Sequence, residues 1–431
     1  MEILNDEYRV FGGHRLSGET SVQGAKNAAL PILAASLLVP GVTVLTGCPD
    51  IVDVRVMLEI LAELGCEVSQ YGDTVAVDAS QLTKSEVPEY LMREMRSSIM
   101  LLGALLGRCG EGAISAPGGC AIGLRPIDMH LAAIESLGAE VIQGKNRVTC
   151  RWRKAAAAEV ILPYPSVGAT ENTMFSAVRL PGTTLIRGAA KEPEILDLQQ
   201  ALCAMGARVQ GAGSSVIRID GVAALHPACY QVMPDRIAAA TLLAAGATAG
   251  GDIFVKGARG CEMAPALSAL RRMGCEVSDG ADGIRLRRHG RLHSAGIIET
   301  APYPGFPTDM QAPFMAVACS ADGVTTINEN VFENRFRHVP ELMKLGADIT
   351  VSERTATVTG VPKLRGGAVE AFELRGGAAL IIAGLAAEGV TTVSGRKYID
   401  RGYENIARDL TALGVKIEGA KKESEEEGRQ A

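Results

Sequence analysis

Leu64-Gly65-Cys66-Glu67-Val68 returns five times along the chain. The later copies are Leu137-Gly138-Ala139-Glu140-Val141, Met205-Gly206-Ala207-Arg208-Val209, Met273-Gly274-Cys275-Glu276-Val277, Leu345-Gly346-Ala347-Asp348-Ile349 and Leu413-Gly414-Val415-Lys416-Ile417. Their glycines are separated by 73, 68, 68, 72 and 68 residues. Each copy has one physical reading. An amphipathic helix precedes it, as over Met57 to Leu64 and Leu267 to Met273, and the glycine closes that helix in a left-handed cap. The residues after the glycine begin a strand. A second strand is expected at Thr74 to Val77, Val148 to Cys150, Val216 to Ile219, Ile284 to Leu286 and Thr357 to Thr359. The period exceeds that of common solenoids, so the units read as duplicated helix–strand–strand subdomains rather than a rod.

A second recurrence lies between the first set. Gly-led β-branched strands are expected at Gly41 to Leu45, Gly112 to Ser115, Gly182 to Ile186, Gly251 to Val255, Gly323 to Ile327 and Gly389 to Val393, each followed by a loop. Cys120 falls in the second of these loops, Arg335 in the fifth and Arg401 in the sixth. Arg335 and Arg401 each stand twelve residues after the leading glycine of their strand. The sixth unit lacks its second strand, and Arg9-Val10-Phe11 with Ser21-Val22 would supply what is missing. Residues 1–25 are therefore expected to pack with the C-terminal half. The fold class is α/β, with one domain over 26–233 and a discontinuous one over 1–25 and 234–431. The chain would cross between them near Gly24 and Met233 and leave a cleft, a common ligand site. The charged tail 421–431, KKESEEEGRQA, is expected to be disordered.

Composition narrows the function. A chain of 431 residues exceeds one typical core, and 47% hydrophobic with 21% charged residues is a globular composition. A net charge of −6 argues against a nucleic-acid binder working through a general basic field. The ten cysteines form no C-x-x-C pair and the histidines no H-E-x-x-H, so no metal is expected. The apolar run Ala28 to Leu45 is interrupted by Pro31, Pro40 and Gly41, which suits a helix, a turn and a strand rather than a membrane span. The N-terminal MEILNDEYRVFGG lacks the regions of a signal peptide, and unpaired cysteines suit a reducing cytoplasm. There is no Walker A loop and no dinucleotide fingerprint, which disfavours nucleotide-driven phosphoryl transfer and hydride transfer.

Several residues are placed to carry chemistry. Pro117 to Pro126, PGGCAIGLRP, holds Cys120 and Arg125 between three glycines and two prolines, and reads as an exposed loop or an ordinary connection. Lys26 stands at the start of a helix, where backbone N–H groups favour anions, and Arg96 heads another. Arg125, Arg335, Arg375 and Arg401 lie at loops or element ends. A guanidinium donates two parallel hydrogen bonds and so suits carboxylate or phosphate, and a basic cleft in an acidic protein points to a small anion. Asp309, in PYPGFPTDMQ, and Asp128, in RPIDMH, are candidate acids or helix caps.

SVQGAKNAALPILAA, MRSSI, PGGCAIGLRPIDMH, PSVGAT, KEPEI, FPTDMQA, VFENRFRHVPEL and IDRGYE occur in this order. On these blocks the chain resembles the UDP-N-acetylglucosamine enolpyruvyl transferases, from about Val10 to Glu418. The related shikimate 3-phosphate enzymes share the sixfold architecture but lack the PGGC-x-x-G-x-RP loop. A catalytically silent binding or regulatory copy is the other alternative, though it has no chemical reason to keep Cys120, Asp309 and the basic set together. The resemblance implies a two-domain inside-out α/β barrel, with three helix–sheet units per domain. It implies transfer of enolpyruvate from phosphoenolpyruvate to the 3-hydroxyl of UDP-N-acetylglucosamine, with release of phosphate and without cofactor. Neither nucleic acid nor membrane is implied as a partner.

Site roles follow from the same resemblance. Lys26, Arg96, Arg125, Arg375 and Arg401 match the anion-binding positions, Lys26 and Arg401 also counting as catalytic, and Asn27 matches an asparagine at the sugar and phosphate. Asp309 matches the base that takes the sugar proton. Cys120 matches the acid that protonates the methylene carbon and forms an adduct with phosphoenolpyruvate or fosfomycin. Arg125, Pro126, Ile127, Asp128 and Met129, with Ser166, Val167 and Gly168, match segments touching uridine and diphosphate. Val331 matches a further sugar-side contact, as Arg96 and Asp309 also do. Glu373 stands where the family commonly has aspartate, and Tyr164 where some members carry lysine.

Overall fold

Each recurring glycine ends a helix. Gly65, Gly138, Gly206, Gly274, Gly346 and Gly414 have φ between 87° and 104° in the computed structural model, which describes residues 6–115 and 127–419. Cys120, Arg125, Pro126, the tail from 420 and the side chain of Arg96 lie outside the described set. At Gly65 the glycine N–H donates to the Ala62 carbonyl at 2.9 Å and the Cys66 N–H to Leu61 at 3.0 Å. This pair of bonds satisfies carbonyls that the helix Val52–Glu63 would leave without partners. The same pair closes the helices ahead of Gly206, Gly274, Gly346 and Gly414.

After each cap the chain forms a small sheet. Five antiparallel hairpins hold the predicted strands, such as Glu67–Tyr71 with Thr74–Asp78 and Glu276–Gly280 with Gly283–Arg288. A Gly-led strand pairs with the second strand of each hairpin. The sixth sheet has no such hairpin. Glu7–Phe11 fills it, antiparallel to both Val390–Ser394 and Ile417–Glu418. Ser21 does not join it as expected, because Ala368–Glu370 and Ile417–Glu418 already occupy the two outer positions. Leu16–Ser21 instead runs parallel to Gly251–Lys256 in the fourth sheet, which buries Leu16 and Thr20.

The sheets surround helices that are buried along most of their length and have no polar face. These are Lys26–Ser36, Leu101–Cys109, Val167–Ala177, Arg236–Ala249, Gln311–Ala318 and Leu374–Ala386. No helix among the described residues is long and apolar enough to cross a membrane. Apolar side chains gather into two clusters. One runs from Ala25 to Met233; the other joins Tyr8, Val10 and Leu16 to residues from Ile237 to Ile417. The two passages between them lie side by side. Ala25 N–H donates to Met233 at 2.8 Å and Asp235 N–H to Gln23 at 2.9 Å, with Gly24 bridged to Pro234.

The caps differ in what surrounds them. A methyl group on Gly346 would meet open space, whereas one on Gly138 would lie 1.9 Å from the Lys154 carbonyl oxygen. Gly346→Ala is therefore expected to cost only left-handed strain, about 1–2 kcal/mol. Gly138→Ala is expected to cost clearly more, because backbone must move as well. Urea unfolding of both variants beside the parent checks the order; equal midpoints would contradict it.

Candidate active site

Asp309 lies in the single turn Thr308–Met310, immediately before Gln311–Ala318. Capping was one expectation for it, but its carboxylate caps nothing. It accepts instead from Arg335 Nη2 at 2.7 Å and from Arg375 Nη2 at 3.4 Å. Asp128 likewise makes no capping bond; it is the first residue of Asp128–Ser136, too far along the helix to reach back as an N-cap.

Neighbouring carboxylates place the two arginines. Glu329, 1% exposed, accepts from Thr300 Oγ1 at 3.0 Å and Thr308 Oγ1 at 2.9 Å. It also accepts from the backbone of Val331 at 2.9 Å and Phe332 at 3.1 Å, which ties the Asp309 turn to the loop carrying Arg335. Glu373 accepts from Arg375 N at 2.9 Å and from Gly376 N, so the longer acid still caps the helix Leu374–Ala386. Arg375 is 2% exposed and stacks over the Tyr403 ring at 5.3 Å. Its Nε and Nη1 are buried without a partner among the described residues.

A second carboxylate joins the two clusters. Asp53 opens the turn of Val52–Glu63 and is buried. Its Oδ2 lies 2.6 Å from Lys26 Nζ, and its Oδ1 accepts from Arg401 Nε at 2.7 Å. Lys26 begins its helix as expected, two residues ahead of the apolar run from Ala28, and its backbone N–H donates to Asp235 Oδ2 at 3.2 Å. Asp235 Oδ1 caps Arg236–Ala249. Asn27, beside Lys26, is exposed.

These contacts set the charges. Burial pushes the Lys26 ammonium down, and Arg401 and Arg375 add to this, while Asp53 opposes it. Burial alone would raise both carboxyls. For Asp53, Lys26 and Arg401 outweigh it and hold the group below the ordinary range. For Asp309, Arg375, Arg335 and Lys26 outweigh burial and hold it well below.

The segments expected at the nucleotide also meet. Gly168, in the first turn of Val167–Ala177, leaves room for the His130 ring, where a methyl group would approach Cε1 to 2.7 Å. This brings Ile127, Asp128 and Met129 beside Ser166 and Val167. Ser166 caps that helix through Ala169 N. The Asn172 amide lies 2.7 Å from His130 Nδ1 and its Oδ1 accepts from Gly103 N at 2.7 Å, locking three helices together. Val331 is half-buried on the Glu329 loop, and Tyr164 is exposed.

The structure thus groups Lys26, Arg375, Arg401 and Asp309 with Asp53 and Arg335: cations for a small anion, and a carboxylate that can take a proton. A family model described as EPSP synthase (3-phosphoshikimate 1-carboxyvinyltransferase) matches residues 10–410. The chain belongs to this enolpyruvyl transferase family. It is 47% identical over 411 residues to UDP-N-acetylglucosamine 1-carboxyvinyltransferase 2 of Caldanaerobacter subterraneus subsp. tengcongensis, covering 95% of this chain and 99% of the relative. It is 49% identical to UDP-N-acetylglucosamine 1-carboxyvinyltransferase 1 of Symbiobacterium thermophilum, over 96% of this chain and 95% of that one. The solved enolpyruvyl transferase NikO from Streptomyces tendae is similar with a TM-score of 0.85 at 27% identity, covering 95% of this chain and 98% of the other. An EPSP synthase from Acinetobacter baumannii, at 17% identity and a TM-score of 0.72, shares the fold. The protein is an enzyme of two-domain α/β architecture.

Asp53, Glu329 and the Arg335–Asp309 contact escaped the sequence reading. An acid in a helix's first turn is ordinary, so Asp53 carried no signal. The shared offset of Arg335 and Arg401 was the one available for Arg335.

The Asp53 pairing has a pH signature. A carboxyl depressed on folding contributes stability that is complete above its unfolded pKa, about 3.9, and lost as pH falls through the lower folded value. Asp53→Asn, which removes the carboxylate charge from between Lys26 and Arg401, is expected to cost roughly 3 kcal/mol at neutral pH. The gap between variant and parent should narrow below about pH 4. Urea unfolding at several pH values measures this, and a gap independent of pH would contradict it.

Proposed function

We infer that this enzyme transfers the enolpyruvyl group of phosphoenolpyruvate to the 3-hydroxyl of UDP-N-acetylglucosamine and releases phosphate by addition and elimination, the first committed step of peptidoglycan synthesis. The observation that carries the reading is Asp309 seated among Arg335, Arg375 and Lys26, in a chain close to half identical to UDP-N-acetylglucosamine 1-carboxyvinyltransferases over nearly its whole length. The two bodies, 26–233 and 1–25 with 234–431, act as domains with both substrates between them.

The chemistry assigns the roles. Phosphoenolpyruvate brings a phosphate and a carboxylate, and Lys26, Arg96, Arg125, Arg375 and Arg401 receive them. Asn27 and Val331 meet the sugar, and residues 125–129 with 166–168 meet the uridine and diphosphate. Asp309 takes the hydroxyl proton as the sugar oxygen bonds to the central carbon of the enolpyruvyl group. Cys120 gives a proton to the methylene carbon; a thiol of ordinary pKa about 8.5 is mostly protonated at neutral pH, as this step requires. A methyl proton then returns to the Cys120 thiolate as the C–O bond to phosphate breaks, and the electron pair of that C–H bond restores the double bond. Cations left paired to the departing phosphate stabilise it. The same thiol is nucleophilic enough for an adduct with phosphoenolpyruvate or fosfomycin. The reaction is placed in the cytoplasm, where its nucleotide substrate would be met.

Phosphate release with phosphoenolpyruvate and UDP-N-acetylglucosamine tests the reading. Release is expected with this pair and not with shikimate 3-phosphate; the opposite preference, or none with either, would overturn it. Fosfomycin is expected to inactivate the parent and spare Cys120→Ser. Asp309→Asn, which keeps the shape and removes the base, is expected to lower kcat by about 10²–10⁴-fold.

A further inference from the structure

Six residues after the leading glycine of each Gly-led strand, five of the six repeats carry a second glycine: Gly47, Gly118, Gly188, Gly257 and Gly395. Only the fifth repeat departs, with Glu329. Gly47, Gly188, Gly257 and Gly395 have φ between 66° and 77°, so the chain leaves each of those strands through a left-handed turn that needs no side chain. Glu329 has no left-handed backbone. Its own carboxylate turns the chain instead, Oε1 accepting from Val331 N at 2.9 Å and Phe332 N at 3.1 Å.

A glycine would serve for the turn alone, as it does in the sister repeats. What the glutamate adds is reach. Its Oε1 also accepts from Thr300 Oγ1 at 3.0 Å, and its Oε2 from Thr308 Oγ1 at 2.9 Å. Thr300 Oγ1 in turn accepts from Asn330 N at 2.9 Å. Thr300 and Glu329 are both buried, where hydrogen bonds to a carboxylate are strong and costly to lose. A break in an otherwise repeated local pattern is expected where function overrides it.

We propose that Glu329 is a positioning residue of the proposed reaction, holding the turn that carries Asp309 in register with the loop that carries Val331. The inference rests on the functional reading above, in which Asp309 takes the sugar proton and Val331 meets the sugar. The two oxygens divide the task. Oε1, with Thr300, fixes the backbone N–H groups of Asn330, Val331 and Phe332. Oε2 reaches Thr308, the residue before Asp309. Glu329 is 1% exposed, so it acts through these segments rather than on the substrate. One carboxylate thus sets the spacing between a contact of the sugar and its base, and a shift of about 1 Å there costs about 100-fold in rate.

Steady-state phosphate release by the full chain, with Glu329→Gly, Glu329→Gln and Thr308→Val, tests the proposal. Glu329→Gly restores the residue of the sister repeats, which keeps a way to turn the chain and removes the reach. Its kcat should fall about 100-fold, and its KM for UDP-N-acetylglucosamine should rise about tenfold. Glu329→Gln keeps an oxygen for Val331 and Phe332 and gives Thr308 an N–H donor, so KM should stay within about threefold and kcat within about tenfold of the parent. Thr308→Val cuts only the Oε2 link, so kcat should fall about tenfold while KM stays within about threefold. A merely structural role would lower the urea midpoint of Glu329→Gly and leave kcat and KM at parental values; that result would overturn the proposal. Glu329→Gln as impaired as Glu329→Gly would overturn it too, and either outcome leaves the reaction itself standing. If Glu329→Gly does not fold, as circular dichroism would show, Thr308→Val decides: undiminished kcat there would overturn the positioning role. An unmodified chain that releases no phosphate would overturn the functional reading and this inference with it.

Discussion

One buried carboxylate, Asp53, is shared by a lysine from one apolar cluster and an arginine from the other. Leaving water is costly for each of these ions, and the cost is offset only when opposite charges meet at close range with good geometry. Lys26 and Arg401 alone would repel one another across the space between the two bodies. Asp53 converts that repulsion into a bridge and sets how near they approach. The Val52 N–H, which donates to the Asp400 carbonyl at 3.0 Å, makes the same junction in backbone. Lys26 is held from a second side by Asp235, so the bridge is continuous with the paired crossing at Gly24 and Pro234.

The architecture explains why the charges gather. The six buried helices begin at or close behind residues of the candidate site: Lys26, Arg96, Ser166, Asp235, Asp309 and Glu373 with Arg375. A helix N-terminus presents unpaired N–H groups and a partial positive charge. Three of these ends spend a side-chain oxygen on their own cap, from Ser166, Asp235 and Glu373. The other three do not, and Lys26 and Asp309 are thereby free to reach across to partners on other elements. Because the helices have no polar face, sequence freedom remains only at their ends. The residues of the candidate site have collected there.

Much of this was legible in the residues. The capping glycines were, because a left-handed helix stop leaves a local signature, an apolar residue, glycine, and then a β-branched strand start. The strand Glu7–Phe11 was legible as the answer to a gap in the sixth sheet. Leu16–Ser21 was not, since its partner is chosen by which sheet edge remains open, a property of the assembled fold. Lys26, Arg375, Arg401 and Asp309 were visible from motif and charge. The acids that arrange them were not: Asp53 and Glu329 resemble surface acids until burial and distant donors, Lys26 and Arg401 for one and Thr300 and Thr308 for the other, give them work. Asp309 was read as either cap or base, and only its two arginines decide that it caps nothing.

Pairing Lys26, Arg335, Arg375 and Arg401 with carboxylates beforehand has a chemical consequence. An incoming phosphoenolpyruvate must compete with Asp53 for Lys26 and Arg401, and with Asp309 for Arg375. Ground-state affinity is lowered by that competition. In the proposed reaction, attraction not realised as affinity loosens Arg375 from Asp309, the base of that reaction. Interactions strengthened only on the way to the transition state are those that accelerate a reaction. A site with free cations would bind the anion more tightly and leave Asp309 no better a base than before. In the proposed reaction the anion is thus both substrate and the agent that readies Asp309, and a sugar arriving alone meets a carboxylate still held on both oxygens.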